Sequence, residues 1–289
     1  MKPPKFRYVA PAGLADVVHL LATEPDAKVI AGGQSLMPLL AMRLAGPSVL
    51  VDLRNVPGLE RIDVGDEEVR IGARVTHRAV EHSAALAEVL PLLPAAARHI
   101  AHPQVRSRGT FGGSTAHADP SAEWPTVLLA LDAVVDVVGP GGARSIPVDA
   151  FFTGPFTSSM AADEVLVAVR IPRSARRWAF QEAARKAGDY GLAIIAATAE
   201  VTDGRFRAVR VSVGGAVGTV TRLTAVEEAL DGAPFGEATA GRAESVASAA
   251  VTPISDIHGS GDYRRRLVGT LVRRAVVDLS SRPEQGSLT

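Results

Sequence analysis

Two glycine-centred stretches carry most of the chemistry that this sequence can perform. The first, Lys28-Val29-Ile30-Ala31-Gly32-Gly33-Gln34-Ser35-Leu36-Met37-Pro38, runs an apolar segment into two glycines and then a small polar pair. A buried strand ending this way leaves backbone N–H groups free at a tight turn, and glycine lets that backbone approach a phosphate with no Cβ in the way. The second, Gly109-Thr110-Phe111-Gly112-Gly113-Ser114-Thr115, has the same character. Either alone is also what an empty turn looks like, because glycine pairs are common punctuation. Together, each with Ser or Thr beside its glycines, they point to one ligand with two phosphates held from both sides.

Two further groups have ligand chemistry. Asp119 and Glu123 are spaced i, i+4 where a helix is expected to start, with Ser121 as its N-cap. That placement serves the helix dipole equally well as it serves a carboxylate accepting hydrogen bonds from a ribityl or ribose chain. Lys186-Ala187-Gly188-Asp189-Tyr190 lies between two expected strands. It is either a polar turn or a site where Tyr190 covers an aromatic ring and Lys186 places positive charge beside it, favouring a reduced, anionic cofactor. Other chemistries are missing. No G-x-G-x-x-G fingerprint, Walker loop, H-E-x-x-H pair or G-x-S-x-G elbow occurs. The seven histidines, His19, His77, His82, His99, His102, His117 and His258, read as surface or hydrogen-bonding residues.

Composition narrows the class. The 289 residues are 47% hydrophobic and 21% charged with zero formal net charge, so no basic field argues for nucleic acid. No apolar run is long enough for a transmembrane helix and Met1 to Phe6 lacks a signal-peptide core, so a cytoplasmic location is expected. There is no cysteine, which excludes disulfides, thiolate nucleophiles and iron–sulfur clusters held by this chain.

Periodicity then supplies the elements that must position these groups. Leu14, Val17, Val18 and Leu21 mark a helix over 13–23, followed by a strand at 28–31 that feeds the first glycine stretch. A short helix is expected at 38–44, a strand at 48–53 and a hairpin at 61–64 and 69–73. Thr76 or His77 begins a helix, and residues 83–101 are helical in two pieces broken around Pro91 and Pro94. A helix over 123–131 and strands at 133–138 and 164–171 complete an α+β unit of two lobes over 1–172. After a polar linker at 173–177, three strands (179–186, 192–201, 205–214) precede three helices (about 221–231, 238–250 and 262–280) in a second domain over 178–280. The last six residues are expected to fray.

In this order and spacing the motifs resemble a known family. Ala31-Gly32-Gly33-Gln34-Ser35-Leu36-Met37-Pro38 is similar to the first FAD-binding motif of the flavoprotein (medium) subunits of molybdenum hydroxylases, the xanthine, carbon monoxide and nicotine dehydrogenase type. Ile100 to Gly113, with Ala116-His117-Ala118-Asp119-Pro120 after it, resembles the second, and Lys186 to Tyr190 and His258 to Leu267 resemble later signatures. Ser107 and Gly191 depart from the commoner asparagine and alanine, and Gly191 puts the exact position of the Tyr190 ring in question.

The resemblance implies a two-lobed FAD-binding domain of the PCMH type, followed by a three-stranded antiparallel sheet with a helix bundle. FAD would lie between the lobes with its isoalloxazine ring toward the second domain. Both glycine motifs, including Gly32, Gly33, Gly112, Gly113 and Ser114, would grip the pyrophosphate through backbone N–H groups. Lys28 would lie near the adenine, Thr110 near the phosphate or ribityl region and Glu123 on a ribityl hydroxyl. Ile100 and Leu166 would pack on the cofactor, and Tyr190 would cover the flavin. The implied role is electron transfer, from [2Fe–2S] clusters on a small partner subunit to FAD and on to an external acceptor. Substrate chemistry would sit on a molybdopterin-bearing large subunit, in a dimer of heterotrimers. No side chain of this chain is then required as acid, base or nucleophile. Competing expectations are a self-standing flavin oxidase and a redox-inactive phosphate-ligand binding protein. The substrate (carbon monoxide, an N-heterocycle, a purine or an aldehyde) and the electron acceptor stay open.

Overall fold

The computed structural model describes residues 2–173 and 176–281. Its first lobe comprises β1 (Arg7–Val9), α1 (Leu14–Thr23), β2 (Ala27–Ile30), α2 (Leu36–Ala41) and β3 (Val49–Asp52), the strands parallel in the order β1-β3-β2. Central β3 is buried throughout, because strands flank both its edges. Val17 and Leu21, on the apolar face of α1, join Val49 and Val51 in one cluster. The sequence reading anticipates every element here except β1, whose Arg-Tyr-Val is too short to show a period.

The second lobe begins with the expected hairpin of β4 (Ile62–Val64) and β5 (Glu68–Gly72). Six short helices follow: α3 (His77–Glu81), α4 (Ala84–Val89), α5 (Leu92–Ala97), α6 (Pro103–Arg106), α7 (Phe111–His117) and α8 (Glu123–Ala130). Then come β6 (Val134–Gly139), β7 (Gly142–Pro147), a small hairpin of β8 (Phe152–Gly154) and β9 (Thr157–Ser158), and β10 (Val165–Pro172). An antiparallel sheet forms in the order β4-β5-β10-β6-β7. Val165 and Val167 of β10 join the first lobe's cluster, so β10 ties the two lobes together.

Three local expectations need correction. The helical break falls at Pro91 only; Pro94 sits in the first turn of α5, where its missing N–H costs no ladder bond. The residue before α8 is Ala122 and not Ser121, because the Asp119 carboxylate takes the Ser121 N–H at 2.9 Å and holds it in a turn ahead of the helix. The second glycine stretch is not a loop: Gly112 and Gly113 lie in the first turn of α7.

The remaining unit contains β11 (Arg177–Ala183), β12 (Ala193–Thr202), β13 (Arg205–Gly214) and the two-residue β14 (Thr221–Arg222), then α9 (Thr224–Leu230), α10 (Glu237–Ala250) and α11 (Gly261–Ser281). The three expected strands are there, and β14 adds a short fourth to the antiparallel sheet β11-β12-β13-β14. One face of this sheet (Ala193, Ile195, Ala197) packs on α10 and α11, and the other (Phe180, Ile194, Ala196) joins the core of the second lobe. That two-sided burial is why β12 reads Ala-Ile-Ile-Ala-Ala without alternation. Buried hydroxyls lock the junction: Thr198 donates to Ala130 O at 3.0 Å and Ser212 to Thr126 O at 2.6 Å. The expected linker lies partly outside the described residues, as do the last six residues. No helix among the described residues is long and apolar enough to cross a membrane.

Candidate functional site

Strand β2 pairs in register with buried β3 as far as Ile30↔Asp52, which fixes where the chain leaves the sheet. Beyond it the backbone turns sharply, with Gly33 at φ +71°, a conformation that an L side chain resists. Gln34 braces the turn by donating from Nε2 to Gly32 O at 3.0 Å. The N–H groups of Gly32, Gly33, Gln34 and Ser35 have no partner among the described residues. Lys28 is exposed one strand length before them.

The two glycine stretches meet here. A Cβ on Gly32 would stand 2.3 Å from Arg108 O and 2.7 Å from Gly109 Cα, so only glycine allows the backbones this close. A Cβ on Gly113 would lie 3.6 Å from Ala31 Cβ. The second stretch is itself anchored from below. His77 N–H donates to Gly109 O at 3.0 Å, and a Cβ on Gly109 would touch the His77 ring at 2.8 Å. Trp124 Nε1 donates to His77 Nδ1 at 2.9 Å, and burial followed by the Arg106 charge lowers the imidazole to about 4. His77 is therefore a neutral buried prop, with Nδ1 the acceptor.

The backbone of the second stretch does not offer what the first does. Phe111 N–H donates to Val75 O at 2.8 Å, Gly112 N–H to Ala73 O at 3.1 Å, Gly113 N–H to Thr110 Oγ1 at 3.1 Å and Ser114 N–H to Thr110 O at 3.0 Å. All four serve the fold. The expectation of free backbone N–H groups in this motif is corrected for these four residues; the side-chain hydroxyls it keeps are those of Thr110 and Ser114. Gly112 has a packing role, since its Cβ would stand 2.5 Å from Ala73 Cα.

Beyond α7 the site turns acidic. Asp119 is 9% exposed and its pKa is raised by burial, against the opposing Ser121 N–H and His117. Glu123, first residue of α8, is 7% exposed, and its carboxyl is pushed up to about 8 by burial, then by Glu182 and Asp119. His117 is lowered by burial, with Asp119 raising it and Lys28 lowering it, so the Lys28 charge acts on this ring. Ile100 (7% exposed) and Leu166 (4%) are buried in the second lobe's core.

The second domain contributes the far wall. Gly188, at φ +78°, lets the segment carrying Lys186 and Tyr190 dock so close to the first domain that a Cβ there would stand 2.5 Å from the His102 ring. Tyr190 is 66% exposed; its phenol is raised by desolvation, then by Asp119 and Glu123. With that exposure, the shift marks proximity to the two carboxyls more than burial. Lys186 is exposed on the same loop. The late motif holds this wall: buried Arg264 donates to Leu192 O (2.9 Å), Gly215 O (2.8 Å) and both Asp256 oxygens (2.8 and 2.7 Å). Gly191 allows tight seating, since its Cβ would fall 2.6 Å from Ile194 Cγ1.

One residue of the site escapes sequence reading. Glu182 on β11 has a side chain only 4% exposed, and burial pushes its carboxyl up to about 7. A signal exists. Trp178, Phe180 and Glu182 alternate with Ala179 and Ala183, which face the helices, so Glu182 must point at the first domain.

The arrangement is an open backbone turn for anions at one end, and hydroxyls, carboxyls and an exposed phenol ring toward the other. It fits an extended diphosphate ligand with polyol and flat aromatic parts, and FAD has that composition. Comparison with known proteins agrees. Residues 4–174 match the FAD binding domain in molybdopterin dehydrogenase, and residues 178–279 match the CO dehydrogenase flavoprotein C-terminal domain. The nicotine 6-hydroxylase medium subunit of Paenarthrobacter nicotinovorans is 48% identical over 282 residues, 98% of this chain and 100% of that protein. The carbon monoxide dehydrogenase medium chain of Hydrogenophaga pseudoflava is 34% identical, over 96% of this chain and 97% of that one. In the crystal structure of quinoline 2-oxidoreductase from Pseudomonas putida 86, a chain with 41% identity superimposes with a TM-score of 0.94, covering 97% of this chain and 98% of its own.

Proposed function

Because the chain belongs to the FAD-binding flavoprotein subunits of the molybdopterin dehydrogenases, we propose the following division of labour for its residues. The chain is an FAD-binding oxidoreductase subunit that works in electron transfer within a multi-subunit complex. When bound, FAD accepts electrons from one partner and gives them to another acceptor. The protein's share is to hold, orient and shield it. Residues 1–172 form the cofactor-binding domain and 178–280 the domain that closes it. The N–H groups of Gly32, Gly33, Gln34 and Ser35 hold the pyrophosphate, Ala31 and Leu36 border it, and Thr110 and Ser114 add hydroxyl donors. Lys28 lies toward the adenine, Asp119 and Glu123 take polyol hydroxyls, and Tyr190 and Lys186 border the flavin ring.

The observation that carries this reading is the set of unpartnered backbone N–H groups at Gly32 to Ser35, fixed against the second motif by contacts only glycine permits. Molybdopterin and the [2Fe–2S] clusters sit on other subunits, consistent with a chain that has no cysteine. We further place the chain in a cytoplasmic dimer of heterotrimers acting on an N-heteroaromatic substrate. The substrate class is supported by the nicotine relative at 48% identity against 34% for the carbon monoxide relative, and by the quinoline structure at 41% against 36% for a carbon monoxide dehydrogenase structure.

Affinity purification of the tagged chain, expressed with its genomic neighbours, tests this. The chain is expected to emerge yellow with two further polypeptides and to oxidise a pyridine- or quinoline-type substrate. Purified alone, it should bleach with dithionite yet oxidise no organic substrate. Turnover by the isolated chain would overturn the subunit reading, and a colourless chain that takes up no FAD would overturn the cofactor assignment.

A further inference from the structure

The turn between α10 and α11 is rigidly built, yet it leaves an isoleucine in water. Ile257, at its tip, is 95% exposed. Asp256 Oδ1 accepts the His258 and Gly259 N–H groups at 2.8 and 3.1 Å, and Asp256 N–H donates to Gly259 O at 3.1 Å. Ser255 Oγ takes the Gly261 N–H at 2.8 Å. The buried Arg264 guanidinium grips both Asp256 oxygens and ties the turn to Leu192 O and Gly215 O. Ile254 N–H adds a bond to Ala216 O at 3.0 Å. Arg185 Nη1 donates to His258 Nδ1 at 3.4 Å, so the turn abuts the segment that carries Lys186 and Tyr190. A loose loop could fold an isoleucine back onto the protein; this one holds it out. Tyr263 lies beside Gly259, whose Cβ would stand 3.2 Å from Tyr263 Cδ1, and it is 42% exposed, as Ile254 is 40%. Large apolar side chains held exposed in one neighbourhood mark an interaction surface.

We propose that this turn is the docking anchor for the [2Fe–2S] subunit of the complex, with Ile257 inserting into an apolar socket on that partner. The inference rests on the FAD reading, which puts the flavin ring at Tyr190. Electron transfer weakens steeply with distance, so a cluster-bearing subunit has to sit against this end of the cleft, where the turn is a rigid apolar projection. Charge agrees. Arg185 and Lys186 are exposed beside the turn, with half-buried Asp189 the one acid among residues 185–190. Asp256 is paired with Arg264 and Asp262 with Arg265. A [2Fe–2S] centre carries net negative charge, because sulfides and cysteine thiolates outweigh its irons. A basic flank beside an apolar anchor suits that partner, and it disfavours a second copy of this chain, which would bring like charges face to face. Holding Ile257 in place beforehand removes the ordering cost that a loose loop would meet. Burying a whole isoleucine tightens association about tenfold to a hundredfold.

The test uses the complex obtained by expressing the tagged full chain with its genomic neighbours. Ile257→Glu should unfold at the parental urea midpoint and take up FAD as the parent does, yet capture about tenfold less of the iron–sulfur polypeptide and its iron. Ile257→Leu should retain capture, and Arg185→Glu should lower it and flatten its dependence on salt. A benzophenone amino acid placed at position 257 should, on irradiation of the complex, form its adduct with the iron–sulfur polypeptide. An adduct with the molybdopterin-bearing polypeptide, with a second copy of this chain or with neither partner nor copy would overturn the assignment, as would parental capture by Ile257→Glu. Should Ile257→Glu not fold, the identity of the adduct decides. If the parent docks through position 257 but takes up no FAD, the cofactor reading fails and the anchor stands. If it takes up FAD and Ile257→Glu captures the partner fully, the anchor fails and the cofactor reading stands.

Discussion

Substituting Gly32 with alanine adds one methyl group at the point where the two glycine motifs touch. That carbon would lie 2.3 Å from Arg108 O, 2.7 Å from Gly109 Cα and 3.0 Å from Arg108 C, all backbone atoms with no rotamer to move aside. Ordinary contact would require about 1 Å of separation between the strands of backbone. Gly109 cannot retreat, because its far side rests on the His77 ring, which Trp124 holds in place. Overpacking against such a surface costs about 1–3 kcal/mol or somewhat more. Gly33→Ala makes a different demand. Its Cβ would meet only the ends of Ile30 and Met37 at 3.3 Å, but φ is +71°, and an L side chain there costs about 1–2 kcal/mol. Urea unfolding of the apo variants, read with flavin absorbance after incubation with excess FAD, separates the two. Gly32→Ala should be the less stable and lose FAD almost entirely, because the open N–H groups are displaced from the Thr110 and Ser114 hydroxyls. Gly33→Ala should lose less stability. If Gly32→Ala unfolds at the parental midpoint and retains a full complement of FAD, the juxtaposition of the motifs is not what builds the site.

The remaining predictions concern the acidic wall and the clamp behind it. Glu123 is raised from an ordinary 4.5 to about 8, so the folded apo chain keeps a proton that the unfolded chain has already released. Its stabilising share is complete below about 4.5 and is lost as pH rises through about 8, at most about 5 kcal/mol. Glu123→Gln should therefore flatten this decline in urea-unfolding measurements across pH 5–9, and equal slopes in parent and variant would refute it. The comparison with the parent cancels buried His77, lowered to about 4, whose share runs the other way and is lost as pH falls from 6.5. Arg264→Met strands Asp256 and the Leu192 and Gly215 carbonyls; with Asp256 a third exposed, a loss of about 2–4 kcal/mol is expected by the same measurement, and a loss under 1 kcal/mol would remove Arg264 from the account of the Tyr190 wall.

Much of this protein was legible from residue order. Strand β2 running into Gly32-Gly33, the Gly65-Asp66 hairpin and the helical face of Leu267, Leu271, Val272, Ala275, Val276 and Leu279 follow from local periodicity and turn chemistry, which act over a few residues and need no partner. The motif order was specific enough to carry the family and the cofactor. What residue order alone could not settle concerns groups satisfied by distant ones. Gly112 and Gly113 resemble a free phosphate loop in sequence, yet Val75, Ala73 and Thr110 claim the N–H groups around them. Ser121 resembles an N-cap, yet Asp119 captures its N–H. His77 is one histidine among seven until Trp124 and Gly109 close on it. Glu182 becomes notable only because the second domain's sheet turns it toward Glu123 and His99, where its charge has nothing to solvate it. Sequence by itself determined which backbone could approach a phosphate, since that freedom belongs to glycine alone. Tertiary structure decided which N–H groups stayed free to do so and which carboxyls lost their water, because hydrogen-bond satisfaction and desolvation are properties of neighbours brought together across the fold.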